Sequence, residues 1–292
     1  MHFLRNLVRR VKSDLRKKLI ARSAVMPPKN SPNSKAVCVF LDKSYCELLD
    51  NWISFAKIPA DWDFVVVCFD EESRVLAASR HLSTGFINSG QWVGLMWIAR
   101  VLYLEKLLGQ YSRIVVSDID AIWTGDPIAY TGLDAEADFV FSQGTTFPQD
   151  VFEETKTVVC CGWFVLKRSS ASFETLKSVL RDMGQTFDDQ VSFNRIFHRL
   201  GMRWDAAKMT SVRHDNVNLL VTLEPQSQLL TNGCIVELLP MRVINRLSPI
   251  NPEALVQHPI SPKDVKAKID LLNSLHLWHC KTSQSQIPYE HV

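Results

Sequence analysis

The chain has 292 residues, of which 46% are hydrophobic and 22% are charged. These values fit one large α/β domain or two small ones, and they exclude a disordered chain, a collagen-like repeat and a disulfide-rich miniprotein. The net charge is only +2, so the chain is not generally basic and we expect no nucleic-acid partner. Seven cysteines, an odd number without a CxxC pair, predict buried reduced thiols and a reducing compartment.

The first 22 residues are strongly basic. They contain eight lysines and arginines against Asp14 alone, which leaves a net charge of +7. Apolar residues recur at steps of three and four and so share one helical face: Leu4, Val8, Val11, Leu15 and Leu19. A basic amphipathic helix of this kind either lies in an anionic membrane interface or packs on the rest of the protein. We therefore expect a cytoplasmic location, with peripheral contact at the inner face of a membrane as the membrane-bound form.

The remaining chain divides by composition into three parts. Residues 23–35 predict a linker, residues 36–280 a folded domain, and residues 281–292 a polar tail. In the domain, apolar strand patterns alternate with helical periodicity, which predicts an α/β fold with a mostly parallel central sheet flanked by helices. The predicted strands are 36–41, 64–69, 113–117, 138–141 and 157–167, with further short strands within 217–246. The predicted helices are 45–57, 71–80, 91–108 (ended by Gly109), 170–183, 188–200 and 262–275.

A pair of carboxylates follows one of the predicted strands. Asp118 and Asp120 stand two residues apart, directly after the apolar run at 113–117. In an extended segment such residues point to the same side, and the carboxyl edge of an open α/β sheet is where ligands bind. Carboxylate oxygens suit Mg²⁺ or Mn²⁺, which commonly bridges substrate phosphates. The alternative is a pair of solvated loop carboxylates.

Three further segments carry candidate functional residues. Gly162 interrupts an apolar strand, which indicates either close approach by a ligand or backbone, or a local bulge. Asp188, Asp189 and Gln190 begin a predicted helix, where capping explains one of the acids. His258 is followed closely by lysines at positions 263, 266 and 268, a pattern that suits a metal–diphosphate site, although a lone histidine is more often structural.

Together these segments resemble the nucleotide-diphospho-sugar transferase family of GT-A glycosyltransferases, which are largely retaining enzymes. The resemblance covers roughly residues 36–280 and rests on five motifs in the right order. The motifs are the opening strand, helix and strand (AVCVFLDKSYCELLDNWISFAKI, then DFVVVCFD), IVVSDIDAIWTGDPIAY, VVCCGWFVLKRSS, FDDQVSFN and QHPISPKDVKAKIDLLNSLHLW. The helix at 91–108 stands where the family has a helix that carries a basic residue, here Arg100. The resemblance implies a GT-A-like fold.

The resemblance also implies a role for each matching residue. The donor would be bound by Arg100, Asp118, Asp120, Gly162 and Lys263, with Lys263 on the diphosphate. A divalent cation, Mn²⁺ or Mg²⁺, would be held by the two aspartates of that set and His258. Asp189 and Gln190 would lie beside the reacting carbon of the donor sugar.

Three departures from the family pattern leave alternatives. Pro259 stands where a longer turn is expected, and no glycine precedes Lys263. His276 and His279 therefore compete with His258 for the metal, and with them Lys281 competes for the phosphate. Asp188 likewise competes with its neighbour Asp189 for the position beside the sugar, and Cys161 replaces a usual small residue before the glycine.

The implied activity is metal-dependent transfer of a sugar, with retention of configuration, from a nucleotide-diphosphate sugar with uridine as the base. The acceptor would be a glycan, a lipid-linked molecule or a protein. One alternative is a non-catalytic nucleotide-sugar-binding protein of the same fold. The other is a D-x-D phosphatase of the haloacid-dehalogenase type, but that chemistry wants Thr or Val where Ile122 stands and has its motif near the start of the domain.

Overall fold

The computed structural model describes residues 14, 16–29, 34–88, 93–131, 136–214, 216–247, 250–260 and 264–280. Its strands are β1 (Lys35–Leu41), β2 (Asp63–Cys68), β3 (Ser83–Phe86), β4 (Arg113–Ser117), β5 (Ile122–Trp123), β6 (Phe139–Gln143), β7 (Val159–Lys167), β8 (Met209–His214), β9 (Val217–Thr222), β10 (Gln226–Leu229), β11 (Ile235–Leu239), β12 (Ile244–Asn245) and β13 (Val256–Gln257). Its helices are α1 (residues 16–23), α2 (Cys46–Phe55), α3 (Glu71–Ser79), α4 (Val93–Gln110), α5 (Pro127–Tyr130), α6 (Gln149–Thr155), α7 (Ser170–Thr186), α8 (Asp189–Arg199) and α9 (Val265–Ser274).

A central sheet organises the described part of the chain. Its strand order is β10-β11-β6-β7-β4-β1-β2-β3. Strands β3, β2, β1 and β4 pair in parallel, and so do β6 and β11, whereas β7 and β10 run antiparallel to their neighbours. Six of these eight strands therefore run in one direction, and the expectation of a mostly parallel sheet flanked by helices is confirmed.

Successive residues of the central strands point to opposite faces of the sheet. In β1, Ala36 and Cys38 join the core beneath α4, α7 and α8, whereas Val37, Val39 and Leu41 join the core beneath α2 and α9. Helices thus cover both faces of the sheet. Because successive residues are buried on either face, the sequences of these strands are continuously apolar. Each fully buried aliphatic side chain contributes roughly 1.5–3 kcal/mol, so these two cores hold the sheet and its helices together.

Two small sheets complete the fold and bring further candidate site residues to the edge of the central sheet. The first has the order β12-β13-β5, with β13 antiparallel to β5. The second is the hairpin of β8 and β9. Because β5 follows the D-x-D segment directly, the first small sheet brings the chain around residue 257 back to that segment.

Helix α4 differs from its prediction at the C-terminal end. The prediction that Gly109 ends the helix is wrong, because the helix continues through it to Gln110. Glycine costs about 1 kcal/mol relative to alanine inside a helix. The preceding turns bury Leu104, Leu107 and Leu108 completely, and this packing outweighs the cost.

The N-terminal segment touches the domain over a short stretch. In α1, Ile20 is 7% exposed and packs in the core, whereas Leu19 is 64% exposed. The ammonium of Lys17 donates a hydrogen bond to the carbonyl of Leu180 in α7 at 2.6 Å, and Val25 forms a β-bridge with Phe86. Residues 1–13 and 15 of the predicted amphipathic helix and the tail at 281–292 lie outside the described residues, and the domain boundaries stay predictions. Among the described helices, none is both long enough and apolar enough to cross a membrane.

Candidate active site

The D-x-D segment is held in place by backbone and indole contacts. The N–H of Asp118 donates to the carbonyl of Gly162 at 2.7 Å, and the N–H of Ala121 donates to the carbonyl of Asp118 at 3.1 Å. The indole N–H of Trp52 donates to the carbonyl of Ala121 at 3.0 Å, and that of Trp123 donates to the Ser117 hydroxyl at 3.1 Å. The turn after β4 is therefore fixed on both sides.

His258 reaches the aspartates through the pairing of β13 with β5. The register places Gln257 opposite Ile122, so the next residue of the chain lies beside the preceding turn. The N–H of His258 donates to the carbonyl of Asn245 at 2.8 Å. His258 is 5% exposed, and its imidazole lies where the family resemblance implied a third ligand.

Asp118, Asp120 and His258 form a cluster in which one ligand atom of each residue lies within 4.8 Å of the others. Nε2 of His258 is 3.8 Å from Oδ2 of Asp118 and 3.5 Å from Oδ1 of Asp120. The second oxygen of each carboxylate faces a cation. Oδ1 of Asp118 lies 3.1 Å from Nη1 of Arg100, and Oδ2 of Asp120 accepts a hydrogen bond from Lys268. The cations therefore orient the carboxylates and leave one oxygen of each toward the imidazole.

The glycine of β7 makes room for this imidazole. A Cβ built on Gly162 would lie 1.8 Å from Cε1 of His258, far closer than any contact allows. Sequence reasoning expected a ligand or backbone at this position, or a bulge. Among the described atoms, the close neighbour is instead the His258 ring.

The two acids at the start of α8, Asp188 and Asp189, make different contacts. Asp188 is the N-cap residue and accepts from the N–H of Val191 at 2.8 Å. Asp189 is buried and lies 3.5 Å from Nη1 of Arg100. Gln190 accepts from the N–H of Cys161 at 3.2 Å and so ties the helix to β7. Of the two acids, Asp189 is thus the one that faces the cavity cation, and Asp188 caps the helix.

Burial and charge set the protonation of the acids in the cavity. Burial raises the pKa of Asp189 to about 6, although Arg100 opposes the shift. Burial also tends to raise the pKa of Asp120, but His258 and Lys268 hold it below its usual value. Burial tends to lower the pKa of Arg100, but the charges of Asp118 and Asp189 raise it by more. The net pKa therefore lies above its usual value, and the guanidinium stays charged.

The other candidates of the sequence analysis lie elsewhere. The ring of His279 stacks on Phe55 with centroids 4.0 Å apart, and the backbone N–H of His279 donates to the side-chain oxygen of Asn51. His276 lies just after α9 and has a backbone φ of 56°, and it belongs to no ligand cluster among the described residues. Lys263 and Lys281 lie outside the described residues, so the structure does not test their phosphate roles.

Sequence reasoning missed three residues of the site. Lys268 was noted only as one of several lysines, yet it bonds Asp120. Nη1 of Arg246 lies 3.0 Å from Nε2 of His258, and no motif points to this arginine. Cys160 is fully buried, and although burial raises the pKa of its thiol, Arg246 and His258 lower it to about 7. Its only signal in the sequence is its place two residues before Gly162.

All these groups line one cavity of about 610 Å³. Its lining is rich in charged side chains and also includes residues of the turn after β6, the β8–β9 hairpin and the turn after β13. A cavity of this size accommodates a ligand of nucleotide-sugar dimensions. The half-buried Asp118, the buried Asp120, an imidazole and three cations in such a space suit a phosphate-bearing ligand that binds with a divalent cation.

The fold and the cavity define a GT-A-like α/β protein with a D-x-D site. The profile of the nucleotide-diphospho-sugar transferase family matches residues 61–244. The chain belongs to this family of glycosyltransferases, as its motifs indicated. A search of curated proteins finds no matching relative.

Several solved glycosyltransferases have a similar chain path. The apo form of GlyE from Streptococcus pneumoniae TIGR4 matches at 16% identity and a TM-score of 0.41, over 59% of this chain and 45% of that chain. An active-site mutant of LgtC matches at 11% identity and a TM-score of 0.41, over 55% of this chain and 70% of that chain. The match spans less than half of the GlyE structure.

Proposed function

We propose that this protein transfers a sugar from a uridine-diphosphate sugar to an acceptor hydroxyl, with a divalent cation and with retention of configuration. The observation that supports it most is the convergence of Asp118, Asp120 and His258 at the base of the charged cavity. The family match supports the donor class. The acceptor is a glycan, a lipid-linked molecule or a protein.

The residues present fit a divalent cation. Each carboxylate directs one oxygen toward the imidazole, while Arg100 and Lys268 hold the other oxygen. Two carboxylates and one imidazole suit Mn²⁺, because nitrogen ligands favour transition metals over Mg²⁺. The cation would supply charge neutralisation for the leaving diphosphate. Asp118, Asp120 and His258 would hold it.

The cations of the cavity stabilise the departing nucleotide. In the reaction the bond between C1 of the donor sugar and the diphosphate oxygen breaks, the acceptor oxygen bonds to C1, and the proton of the acceptor hydroxyl passes to the departing diphosphate. Negative charge grows on the diphosphate as it leaves. Lys268 and Arg246 line the cavity, so they are suited to pair with that charge.

Asp189 and Gln190 would act on the sugar. An oxocarbenium-like state at C1 carries positive charge, and the carboxylate of Asp189 offers the opposite charge from a buried position. Gln190 lines the same cavity. Its amide bonds to β7 and to the carbonyl of Phe147 at 2.8 Å, which holds the two sides of the cavity at a fixed separation.

We further propose that the N-terminal segment binds anionic lipid. In α1, Arg16, Lys18 and Arg22 are exposed, and Leu19 lies among them with 64% exposure. The docked face of the helix is the one with Ile20, so the charged face and Leu19 remain available to a membrane. The protein would then work in the cytoplasm, at the inner face of a membrane.

The proposal is tested by measuring UDP binding and the turnover of UDP-sugars in the presence and absence of Mn²⁺. Wild-type protein should bind UDP in calorimetry only when Mn²⁺ is present, and it should release UDP from a matching UDP-sugar and acceptor. Asp120→Asn should abolish metal-dependent binding, because it removes one ligand charge at nearly constant shape. Asp126→Asn is the matched control, since Asp126 caps α5 and is not among the described residues that line the cavity, and Asn caps equally well.

Each outcome separates one interpretation from another. Unchanged UDP affinity in Asp120→Asn would contradict the assignment of the D-x-D residues. Metal-dependent UDP binding without turnover of any donor would favour the non-catalytic binding protein. An inverted anomeric configuration in the product, read by proton NMR, would contradict retention.

A further inference from the structure

The three cations that line the cavity differ in their partners. Arg100 and Lys268 each contact a carboxylate of the D-x-D pair. Arg246 contacts no carboxylate of the described residues, and its hydrogen bonds in this part of the chain go to the ring of His258. Its Nε is buried and has no hydrogen-bond partner among the described residues. The charge of Arg246 is therefore the least compensated of the three.

The guanidinium of Arg246 reaches the nitrogen that a divalent cation would use. Its Nη1 lies 3.0 Å from Nε2 of His258 and also contacts Nδ1. Nε2 is the nitrogen that faces Asp118 and Asp120, at 3.8 Å and 3.5 Å. A guanidinium only donates hydrogen bonds, and a neutral imidazole has one nitrogen lone pair that either accepts such a bond or binds a metal. Arg246 and a divalent cation therefore compete for the same lone pair.

The backbone around Arg246 is fixed, so this competition depends on the side chain. Arg246 follows β12 directly, and β12 pairs in parallel with β13. The N–H of His258 donates to the carbonyl of Asn245 at 2.8 Å, and Nδ2 of Asn245 donates to Oε1 of Gln257 at 3.0 Å. Asn245 and Gln257 are both buried. The two backbones thus stay adjacent, while the half-buried side chain of Arg246 can turn within the cavity that it lines.

We propose that Arg246 is a positioning residue that holds the lone pair of His258 until a diphosphate draws the guanidinium away. The inference rests on the proposed function, which brings a nucleotide diphosphate into the cavity. A guanidinium donates two parallel hydrogen bonds to a phosphate, and these charge-assisted bonds are stronger than a bond to a neutral ring. Once Arg246 has turned to the phosphate, the imidazole is left to the divalent cation.

This role predicts an effect opposite to that of a residue that only supports the site. Loss of a supporting residue should weaken metal binding. Loss of Arg246 should strengthen metal binding when no nucleotide is present, because a competing donor and a nearby positive charge both disappear. The same loss should weaken UDP binding, since the phosphate then lacks a partner.

The test measures Mn²⁺ binding to the full-length protein without nucleotide, through the electron paramagnetic resonance signal of the free ion. Arg246→Met keeps much of the side-chain length and removes the charge and the donors, so Mn²⁺ affinity should rise about tenfold. Arg246→Gln, a second neutral variant, should raise it as well. Arg242→Met is the matched control, because Arg242 is exposed in the turn before β12 and is not among the described residues that line the cavity. It should leave the affinity unchanged.

A second measurement shows whether Arg246 acts through the imidazole. In a His258→Ala background, Arg246→Met should raise Mn²⁺ affinity much less than it does in the wild type, because the two residues no longer interact. UDP should strengthen Mn²⁺ binding in the wild type, and this strengthening should shrink in Arg246→Met.

The outcomes separate this inference from the proposed function. Unchanged or weaker Mn²⁺ binding in both Arg246 variants would overturn the role of Arg246 while metal-dependent UDP binding persists. An equal gain in the wild-type and His258→Ala backgrounds, or an equal gain in Arg242→Met, would overturn it as well. Absence of Mn²⁺-dependent UDP binding in the wild type would instead refute the proposed function.

Discussion

Asp189 is the carboxylic acid of the cavity whose protonation changes within an accessible pH range. It is fully enclosed beside Arg100, and burial raises its pKa to about 6 despite that cation. Asp188 and Asp118 add repulsion between like charges. If the ionised carboxylate stabilises positive charge at C1, transfer must weaken below this pH.

Asp189→Asn should change the pH dependence of both activity and stability. The folded protein binds the Asp189 proton more tightly than the unfolded chain does, so this group stabilises the fold below about pH 4, and the contribution is lost as pH rises through about 6. The free energy of unfolding of Asp189→Asn relative to wild type should therefore increase by about 3 kcal/mol between pH 4 and pH 7. Urea unfolding at several pH values measures this difference.

The same substitution should remove the acidic limb, near pH 6, from the kcat profile, together with most of the activity. A stability difference that does not vary with pH would show that Asp189 has an ordinary pKa. Asp126→Asn is the control, because Asn also serves as the N-cap of α5 and Asp126 is not among the residues that line the cavity.

The choice among the three histidines can be tested by metal preference. His258→Ala should weaken Mn²⁺-supported UDP binding more than Mg²⁺-supported binding, because it removes the nitrogen ligand. His279→Ala should leave the ratio of the two affinities unchanged, since its ring stacks on Phe55. Calorimetric titrations of both variants with both metals measure the ratio. An exchange of the two phenotypes would contradict the placement of the C-terminal segment.

At the scale of secondary-structure elements, β7 links the parts of the site. Its neighbours are β4, which leads into the D-x-D turn, and β6, and α8 is tied to it through Gln190. Its central glycine accepts the imidazole of His258. A strand buried on both faces thus fixes the relative positions of ligands that are far apart in the chain.

Gly162→Ala should displace His258 without unfolding the chain. The added methyl would overlap Cε1 of the ring, and overpacking of this kind costs roughly 1–3 kcal/mol. We expect at least a tenfold loss of Mn²⁺-dependent UDP affinity. In Gly109→Ala nothing lies within 4 Å of the new Cβ, so that variant should keep its affinity and gain about 0.5–1 kcal/mol of stability. Equal UDP affinity of both variants would contradict a ligand role for His258.

The strands and most helices could be predicted from the sequence because their apolar patterns are local. Continuous apolar runs predicted β1, β2 and β4, and the central sheet has all three side by side. The four-residue strand β3, STGF, was missed because it has no such run. The direction of β7 was not predictable either, since strand pairing depends on contacts between distant parts of the chain.

The site was predictable to the extent that its residues stand in motifs. Asp118, Asp120, His258 and Asp189 share one cavity, as the motif order implied. The partnership of Lys268 with Asp120 spans 148 positions, and no local pattern encodes it. Arg246 lies near His258 only because β12 and β13 pair. Ionic partners of this kind follow from the folded arrangement and not from spacing.

At the scale of the whole molecule, the outer face of α1 forms a basic surface with one exposed apolar residue. It consists of Arg16, Lys18, Leu19 and Arg22. Ile20 and Lys17 attach this helix to the domain. A membrane that bound its outer face would therefore hold the catalytic domain directly, and not through a long tether.

Neutralising this surface should release the protein from anionic vesicles. Replacing Arg16, Lys18 and Arg22 by Gln should lower affinity for phosphatidylserine vesicles about 100-fold, because each basic residue contributes about 1 kcal/mol near such a surface. Co-sedimentation at low and high salt measures it, and salt should weaken wild-type binding. The matched control carries the same change at three exposed lysines outside α1: Lys43, Lys57 and Lys106. Equal sedimentation of both variants would favour a helix that only packs on the domain.

The three cations of the cavity have a consequence for the order in which ligands arrive. Arg100, Arg246 and Lys268 already face Asp118, His258 and Asp120. A divalent ion that enters alone meets three like charges, whereas a nucleotide diphosphate brings the negative charge with which they can pair. Because linked equilibria are reciprocal, each ligand must then strengthen the binding of the other. We expect the protein to bind the divalent ion and the nucleotide diphosphate cooperatively. Either ligand alone should bind weakly, and the two together should bind tightly.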